Sequence, residues 1–357
     1  NLMKSIAAKG YTVEFTDEQY IILNNFINSK DFSSVFILVD ENTEQNCLPI
    51  FLDNFSIEMP LEIISIEAGE ENKHIQTCSG VWEALSELGA DRKSLIINLG
   101  GGVVTDLGGF VASTFKRGID FINIPTTLLS MVDASVGGKT GVDLGALKNQ
   151  VGVIINPQLV LVDTKYLETL PKDEYRSGYA EMLKHGLIQD KDYWKILADY
   201  KHISTEEILR HIHYSVAIKN KVVLEDPYEH GLRKILNYGH TLGHAIESFC
   251  LTMENKNKLL HGEAIAIGMI LEAYISSKLT GLSQEQCDEI KHVFNSIYPK
   301  VSFSKQEIKE IVALLQYDKK NSHGIIKFAL LESIGKAVID IEVPNELLED
   351  SFDYYAQ

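Results

Sequence analysis

Four polar residues with side chains suited to catalysis recur at helical spacing in one segment of the chain. They are Arg233, Asn237, His240 and His244. Their positions, i, i+4, i+7 and i+11, would place all four on one face of a continuous helix. A buried face would have to pair every one of these polar groups, and a solvent-exposed face has little use for such a set. We therefore interpret the segment as one wall of a functional site.

A carboxylate and a third imidazole elsewhere in the chain extend this set. Glu181 and Lys184 stand at i, i+3 on a predicted helix, and His261 precedes another predicted helix. One carboxylate with two imidazoles, which leaves coordination positions open, is a ligand set of catalytic Zn²⁺. The spacing does not decide which two histidines bind the ion, and His240 with His244 is the simplest pair. Lys184 beside the ion would attract an anionic oxygen.

A glycine-rich turn follows a short apolar segment that is predicted to be a strand. Leu95–Leu99 runs directly into Gly100, Gly101 and Gly102, and Asp106 follows in the next predicted helix. Glycines after a parallel strand let the backbone approach a ligand, and the free N–H groups of the next helix favour phosphates. The segment is neither G-x-G-x-x-G nor a Walker A loop. It predicts a nucleotide site, and the alternative is a tight structural turn.

Polar residues at the ends of other predicted strands support the nucleotide interpretation, because open sheets bind ligands there. These residues are Asp40, Asn42, Glu70, Lys73, and Thr126 with Thr127, which follow Pro125. A separate segment, residues 115–149, scatters charged and polar side chains among glycines, namely Arg117, Asp133, Lys139, Lys148 and Asn149. In an acidic protein, this segment predicts binding of a carboxylate or a phosphate, and the alternative is a solvated loop.

The elements that must position these residues change character along the chain. In the first half, short segments rich in Ile, Val and Leu alternate with helical segments, which is typical of a parallel sheet buried on both faces. The predicted strands are Ser34–Asp40, Leu61–Glu67, Ser94–Leu99, Asp120–Ile124, Val151–Ile155 and Leu159–Asp163. Later segments have helical periodicity, at Tyr175–Gln189, Thr205–Leu224, Gly231–Cys250, Gly262–Leu279 and Gln284–Ile297. We predict an α/β domain over residues 1–170 and a mainly α-helical domain over residues 171–357.

Composition excludes several classes of protein. The 357 residues carry 33 Lys and Arg against 50 Asp and Glu, a net charge of −17. Such a surface repels nucleic acid and anionic membranes, so neither is an expected partner. The four cysteines are far apart and predict free thiols in a reducing, cytoplasmic compartment. The longest apolar segments are interrupted by Asp106 and Glu272, and the first residues lack the apolar core of a signal peptide, so we expect neither a transmembrane helix nor secretion.

Seven motifs, in order along the chain, together resemble the 3-dehydroquinate synthases, a branch of the sugar-phosphate cyclase superfamily. The motifs are GEENK, GGGVVTDLGGF, FKRG, PTTLLSMVDASVGGKTGVD, SGYAEMLKHG, EDPYEHGLRKILNYGHTLGHAIE and HGEAIAIGM. The similarity extends from about residue 40 to about residue 320. It implies an N-terminal Rossmann-like domain that binds NAD, a helical C-terminal domain that binds metal and substrate, an active site between them, and a homodimer.

The resemblance also implies a role for individual residues. Zn²⁺, often replaceable by Co²⁺, would bind Glu181, His240 and His261, whereas His244 matches a residue that contacts the substrate phosphate. Residues that match the substrate site are Arg117, Asp133, Lys139, Asn149, Lys184, Lys219, Glu229, Arg233, Asn237, His244 and one of Lys319 and Lys320. Residues that match the NAD site are Asp40, Asn42, Gly69, Glu70, Glu71, Asn72, Lys73, Gly101, Gly102, Val103, Val104, Thr105, Asp106, Thr126, Thr127, Lys139, Lys148, Tyr166, Leu167, Glu168 and Thr169.

The reaction implied by the resemblance converts 3-deoxy-D-arabino-heptulosonate 7-phosphate into 3-dehydroquinate and phosphate. NAD would oxidise the substrate transiently, phosphate would leave by elimination, the hydride would return, and an intramolecular aldol step would close the ring. Two alternatives stay open at this point. One is another cyclase that makes 2-deoxy-scyllo-inosose or epi-valiolone, and the other is a metal-dependent polyol dehydrogenase of the glycerol type.

The sequence departs from the usual pattern of the family in a few places. Gly108 stands where Thr is common, Leu147 where Gly is usual, and Pro227 with Tyr228 where a Glu-Arg type pair is usual. The loop between His240 and His261 is a few residues longer than usual. None of these changes removes a functional side chain.

Overall fold

The computed structural model describes residues 3–15, 18–321, 324 and 326–357, apart from the side chains of residues 318–321. The chain divides into two compact units. The first comprises Asn1–Pro171 and Leu209–Asn220, and the second comprises Lys172–Ile208 and Lys221–Gln357.

The first unit is built around a seven-stranded sheet in the order β1-β2-β9-β6-β5-β3-β4. Its strands in chain order, with the hairpin β7–β8, are β1 (Ile6–Ala7), β2 (Thr12–Phe15), β3 (Ser34–Asp40), β4 (Leu61–Ile66), β5 (Ser94–Gly100), β6 (Asp120–Pro125), β7 (Val142–Leu144), β8 (Leu147–Val151) and β9 (Leu159–Val162). Its helices are α1 (Ile21–Asn28), α2 (Glu41–Asn46), α3 (Leu48–Asn54), α4 (Ile75–Glu87) and α5 (Gly102–Thr114). Every pair in the sheet is parallel except β1 with β2.

Helices cover both faces of this sheet, which explains the continuous apolar segments in the sequence. On β3, Phe36 and Leu38 pack into a core that includes Val104 and Leu107 of α5. The alternate residues of β3, at positions 35, 37 and 39, pack into a second core with α1 and α3 on the other face. Since neither face meets water, the strand needs no alternation of polar and apolar residues. The predicted α/β class with a parallel sheet is confirmed.

One predicted strand of the sheet is wrong. Val151–Ile155 does not extend the parallel sheet, because Val151 instead ends β8 of an antiparallel hairpin with β7. Gly145, with a φ of +61°, lies in the two-residue turn that joins the two strands. Ile154 is 54% exposed, so this apolar segment is not the buried strand that its composition suggested. A short apolar run carries no information about its partner strand.

A polar pair lies inside the sheet, where α5 crosses it. Asn98 of β5 and Asn123 of β6 are register partners, and Asn98 Nδ2 donates to Asn123 Oδ1 at 2.9 Å. A Cβ atom on Gly108 of α5 would lie 1.8 Å from Asn98 Oδ1. The helix therefore packs against the sheet at this distance only because residue 108 has no side chain.

The second unit is mainly helical. Its elements are α6 (Lys172–Gln189), α7 (Lys191–Ala198), α8 (Ile208–Glu225, of which Leu209–Asn220 belong to the first unit), α9 (His240–Thr252), α10 (His261–Leu279), α11 (Gln284–Ile297), α12 (Lys305–Asn321), the antiparallel hairpin β10 (Phe328–Ser333) and β11 (Lys336–Ile341), and α13 (Asn345–Ala356). The helix α10 is buried over most of its length and packs against α6, α9, α11 and α13. It is the central element of this unit.

A continuous helix over residues 231–250 was expected, and this expectation is wrong. Leu232–Asn237 forms a short 3-10 helix, and α9 starts only at His240. Gly239 separates the two with a φ of +78°, in the left-handed region that favours glycine. The side chains of Arg233 and Asn237 therefore do not share a helix face with those of His240 and His244. Over the residues that the structure covers, none of the helices combines the length and the apolar character needed to cross a membrane.

The close approach of α5 to the sheet yields a stability prediction. We expect Gly108→Ala to lower the free energy of unfolding by about 1–3 kcal/mol, because the new methyl group overlaps Asn98. Gly80→Ala on the exposed face of α4 is the matched control, since its Cβ would meet nothing within 4 Å, and it should raise stability by about 0.5–1 kcal/mol. Urea unfolding monitored by circular dichroism measures both.

The same experiment tests the partner of Gly108. Adding Asn98→Ala to Gly108→Ala should cost less than the sum of the two single changes, because the shorter side chain removes the overlap. Additive costs, or a Gly108→Ala variant as stable as Gly80→Ala, would show that Asn98 does not limit the approach of α5.

Candidate active site

Three potential metal ligands meet in the second unit. Glu181 lies in the middle of α6, and His240 and His261 are the first residues of α9 and α10. Their ligand atoms all lie within 4.8 Å of one another. Glu181 Oε1 lies 2.9 Å from His240 Nε2 and 3.0 Å from His261 Nε2. One carboxylate oxygen thus faces two imidazole nitrogens.

The opposite nitrogen of each imidazole fixes its tautomer. His240 Nδ1 lies 2.9 Å from the carbonyl oxygen of Tyr238, and His261 Nδ1 lies 3.1 Å from Glu247 Oε2. A carbonyl and a carboxylate only accept hydrogen bonds, so each Nδ1 carries a proton and Nε2 is the nitrogen of each ring that faces Glu181. When Nε2 of both rings is deprotonated, three electron-pair donors converge on one point. Such a set fits a divalent cation, with Glu247 orienting His261.

The electrostatics around Glu181 lead to the same conclusion. Burial raises its pKa, but the Lys184 ammonium, 2.6 Å from Oε2, and the two imidazoles hold the pKa well below the usual range. Burial lowers the pKa of His261, yet the carboxylates of Glu181 and Glu247 outweigh it and raise that pKa to about 10. A buried site that draws positive charge so strongly also favours a metal ion.

His244 lies beside this set without belonging to it. Its ring centroid is 5.2 Å from that of His240 and 5.8 Å from that of His261. Burial and the two neighbouring imidazoles lower its pKa to about 3, so the ring is neutral. Among the described residues, the ligand group contains His261 and excludes His244. The pair His240 with His244, the simplest reading of the spacing, is therefore not the pair that faces Glu181.

Other predicted substrate residues of the second unit lie in the turn before α9. Arg233 is buried, and its Nη1 donates to the carbonyl oxygen of Pro227 at 2.7 Å. Asn237 Nδ2 lies 3.4 Å from Glu229 Oε1, and Glu229 has a φ of +61°. Lys319 and Lys320, one of which is predicted to reach the substrate, lie in α12. Their side chains are outside the part of the chain that the structure describes.

The predicted nucleotide residues of the first unit gather at the carboxyl edge of its sheet. Asp40 ends β3 and caps α2, accepting from Thr43 N at 2.9 Å. Gly101 precedes α5, whose first turn has no side-chain cap, and Thr126 N donates to Gly100 O at 3.0 Å. Residues with predicted NAD contacts also follow β9 at the same edge, in the 3-10 segment Thr164–Thr169. Open parallel sheets bind ligands at this edge, and an uncapped helix start offers N–H groups to phosphates.

Lys73 connects the predicted cofactor and substrate residues of this unit. It is buried, and its Nζ lies 2.8 Å from Asp106 Oδ2 and 2.7 Å from Asn149 Oδ1. Asn149 N in turn donates to Asp143 Oδ1 at 2.8 Å. Burial, with help from Asp143, raises the pKa of Glu70 to about 7 despite the nearby Lys73. Lys73 thus ties the hairpin β7–β8 to the start of α5.

Two further groups of predicted substrate residues lie apart within the first unit. Lys219 Nζ pairs with Asp133 Oδ1 at 2.7 Å and also contacts its carbonyl oxygen. The backbone of Lys139 forms an isolated antiparallel β-bridge with that of Ile154, next to the hairpin β7–β8. That hairpin carries Lys148.

Arg117 lies at the opposite edge of the sheet from the predicted nucleotide residues. It precedes β6, and it lines a surface cavity with Asp91, Arg92, Lys93 and Lys116. The seven residues of β5 separate that amino edge from the carboxyl edge by roughly 20 Å. Within this chain, the sheet does not bring Arg117 to the other predicted substrate residues.

Sequence reasoning missed Glu247, which the structure places against His261. Its spacing from His244, three residues along a helix, shows that the two share a face. No signal in the sequence connects it to His261, fourteen residues away and across a loop.

Comparisons with known proteins identify the family of this chain. The family described as "3-dehydroquinate synthase N-terminal" matches residues 63–177, and "3-dehydroquinate synthase C-terminal" matches residues 178–321. A 3-dehydroquinate synthase of Parabacteroides distasonis is 42% identical over 337 residues, covering 94% of this chain and 95% of the relative.

Solved structures of other cyclases share the fold. A 2-deoxy-scyllo-inosose synthase complexed with carbaglucose-6-phosphate, NAD⁺ and Co²⁺ is 26% identical, with a TM-score of 0.86 over 98% of this chain and 99% of the other. A 2-epi-5-epi-valiolone synthase from Streptomyces hygroscopicus, with NAD⁺ and Zn²⁺ bound, is 24% identical, with a TM-score of 0.82 over 99% of each chain, and shows the fold alone.

The ligand geometry predicts which changes abolish metal binding. We expect His261→Ala to lose Co²⁺ binding, because it removes one of the three converging ligands. His244→Ala is the matched control from the same cluster and should retain Co²⁺. Titration followed by the visible absorption of bound Co²⁺ measures both variants. Loss of Co²⁺ from His244→Ala, with retention in His261→Ala, would reassign the ligand set.

Proposed function

The chain belongs to the 3-dehydroquinate synthase family, and we propose from this premise that it converts 3-deoxy-D-arabino-heptulosonate 7-phosphate into 3-dehydroquinate and phosphate. The observation that carries the proposal is the convergence of Glu181, His240 and His261 within a chain that matches both halves of the family. The 42% identity to a 3-dehydroquinate synthase over most of the chain favours this reaction over that of the cyclase at 26%.

The two cofactors are assigned to different units of the chain. We propose NAD at the carboxyl edge of the sheet in the first unit and Zn²⁺ or Co²⁺ at Glu181, His240 and His261 in the second, as in the cyclases that hold NAD⁺ with Co²⁺ or Zn²⁺. The boundary near residue 170 then separates a cofactor domain from a metal domain. When bound, NAD accepts and returns a hydride and the metal ion polarises the oxygen at the oxidised carbon.

The proposed NAD contacts follow from the groups at the sheet edge. Backbone N–H groups at the uncapped start of α5 face the cofactor phosphates, and Asp40 accepts from a ribose hydroxyl. Lys73 supplies positive charge near Asp106, so that the turn Gly101–Asp106 is held by an ion pair rather than by apolar packing alone. Tyr166 is buried beside Tyr20 and fixes the segment after β9.

The substrate phosphate requires cationic and hydrogen-bonding groups in an otherwise acidic protein. We assign Arg233, Asn237 and His244 of the second unit to this role. His244 is neutral, so it holds a phosphate oxygen by donating one ring N–H rather than by charge. These donors stabilise the negative charge that develops as phosphate leaves.

The carboxylate and hydroxyl groups of the substrate are assigned to the remaining polar residues. Lys184 is positioned by its ion pair with Glu181, beside the metal ligands. Asp133 and Lys219 form a second ion pair, in which the Lys219 ammonium can bind a substrate oxygen in place of the Asp133 carboxylate. Glu229 contacts Asn237 and orders the turn before α9. The set omits Arg117, which lies at the other edge of the sheet.

The cysteines bear on the cellular compartment. All four are buried and unpaired, and burial raises the pKa of Cys47 to about 11 and of Cys78 to about 12. Unreactive thiols of this kind suit a reducing compartment, and we propose the cytoplasm. The homodimer implied by the resemblance is a further proposal, which sedimentation equilibrium tests.

The decisive assay measures phosphate release from 3-deoxy-D-arabino-heptulosonate 7-phosphate with catalytic NAD⁺ and Co²⁺ or Zn²⁺. We expect 3-dehydroquinate as product, no net NADH, and loss of at least 90% of the activity after EDTA, because the reaction regenerates NAD and needs the ion. His261→Ala is the inactive control. Turnover of glucose 6-phosphate instead would indicate a sister cyclase, and stoichiometric NADH from a polyol would indicate a dehydrogenase.

A further inference from the structure

The helix that begins with the metal ligand His240 has no cap of its own. Its N-cap residue, Gly239, carries no side chain, and no side-chain hydrogen bond from that residue closes the first turn. The first N–H groups of a helix lack partners within the helix. A side chain from elsewhere in the sequence must therefore satisfy these N–H groups if the turn is buried.

Glu272, three turns along α10, accepts from that helix start. Its Oε1 accepts from Gly239 N at 3.0 Å, and its Oε2 lies 3.3 Å from Leu242 N. Glu272 is fully buried, so water does not supply these hydrogen bonds. A buried carboxyl group divided between two backbone N–H groups acts as the missing cap.

The two bonds flank His240 on both sides along the chain. Gly239 precedes the ligand and Leu242 follows it by two residues. A third bond holds the same turn, since the Tyr238 hydroxyl donates to the carbonyl oxygen of Met269 at 2.7 Å. The carbonyl oxygen of Tyr238 in turn fixes Nδ1 of His240. The backbone around this ligand is thus fastened to α10 at three points.

The same helix carries the other imidazole ligand. His261 is the first residue of α10, and Glu272 lies eleven residues further along the helix. A Cβ on Gly268 would lie 2.0 Å from Gly239 O. The backbone of α10 therefore contacts the backbone before α9 close to the point where the Glu272 side chain bonds Gly239 N. The relative position of the two imidazoles therefore depends on how α10 holds the turn Tyr238–Leu242.

We propose that Glu272 is a positioning residue for the metal site, which sets His240 against Glu181 and His261 by capping α9. The inference rests on the metal site of the proposed function. It extends that site to a residue whose side chain bonds backbone N–H groups of Gly239 and Leu242 rather than any of the three metal ligands. Loss of the cap would leave buried N–H groups unpaired and let the turn shift, and an imidazole displaced by a few tenths of an ångström binds a metal ion less tightly.

The test is Glu272→Gln, which keeps the size of the side chain but turns an amide NH₂ toward one of the two N–H groups. We expect the Kd for Co²⁺ to rise about 10–100-fold and the visible absorption bands of bound Co²⁺ to change. Both are measured by competition with a chromophoric chelator in the absence of substrate and NAD. Circular dichroism and the unfolding transition show that the protein measured is folded.

Ser276→Ala is the matched control, because Ser276 is a buried polar residue one turn further along α10. Its hydroxyl donates to the carbonyl oxygen of Glu272 and accepts from Leu331 N, away from the start of α9. It should lose stability while its Kd for Co²⁺ stays within twofold of the wild type. An equal loss of affinity in Ser276→Ala would mean that general destabilisation, rather than capping, explains the effect.

A second variant, Tyr238→Phe, provides a test if Glu272→Gln does not fold. Tyr238→Phe removes only the hydroxyl that bonds Met269, and it should also weaken Co²⁺ binding and alter the absorption. Wild-type affinity in a folded Glu272→Gln would overturn the inference. If Glu272→Gln does not fold, wild-type affinity in Tyr238→Phe would overturn the premise that the attachment of this turn to α10 sets the metal affinity. A wild-type protein that binds no Co²⁺ would overturn the metal site and the inference together. An unexpected product in the turnover assay, with these affinities as stated, would overturn only the reaction.

Discussion

The buried negative charge of Glu181 is the constraint on which the arrangement of the second unit depends. The carboxylate is completely buried, and it faces two imidazoles whose Nδ1 protons are committed to other partners. A buried negative charge is tolerated only beside compensating positive charge. Lys184 supplies part of it at Oε2, and a cation held by the three potential ligands would supply more at Oε1. The ion that makes the site catalytic would thus also neutralise the charge that makes the site costly to build.

The helix α10 provides the rigidity that this arrangement needs. It begins with His261, and it is held by α6, α9, α11 and α13 around it. Small residues permit the closest of these contacts, as at Gly268 against Gly239. Potential ligands on the first residues of helices are well ordered only if the N-terminal turns of those helices are held by hydrogen bonds or packing. Glu247 orients one of these imidazoles, and the hydrogen bonds of α10 to the turn before α9 restrain the other.

The first unit solves a different problem, which is to bring polar groups to the edge of an apolar sheet. Helices on both faces bury most of the central strands β3, β5, β6 and β9, so charged residues collect where these strands end. Lys73 joins Asp106 and Asn149 there, although 76 residues separate Lys73 from Asn149. The interior of the sheet also holds a polar pair, Asn98 with Asn123, and the missing side chain of Gly108 accommodates it.

The sequence by itself determined the α/β and helical halves, the strands β3, β5 and β6, and the residue types of the metal site. Apolar runs and helical periodicity report local burial, and these elements owe their form to local burial. Spacing left open which two histidines face Glu181; the family resemblance named His240 and His261, and the tertiary structure places them there. The tertiary structure alone decided that Gly239 breaks the expected helix, that residues 151–155 leave the sheet, and that Arg117 lies at its far edge. Glu247 and Glu272 acquire their roles from partners 14 and 33 residues away. Such pairings depend on the packing of α9 against α10, for which neither spacing nor composition carries a signal.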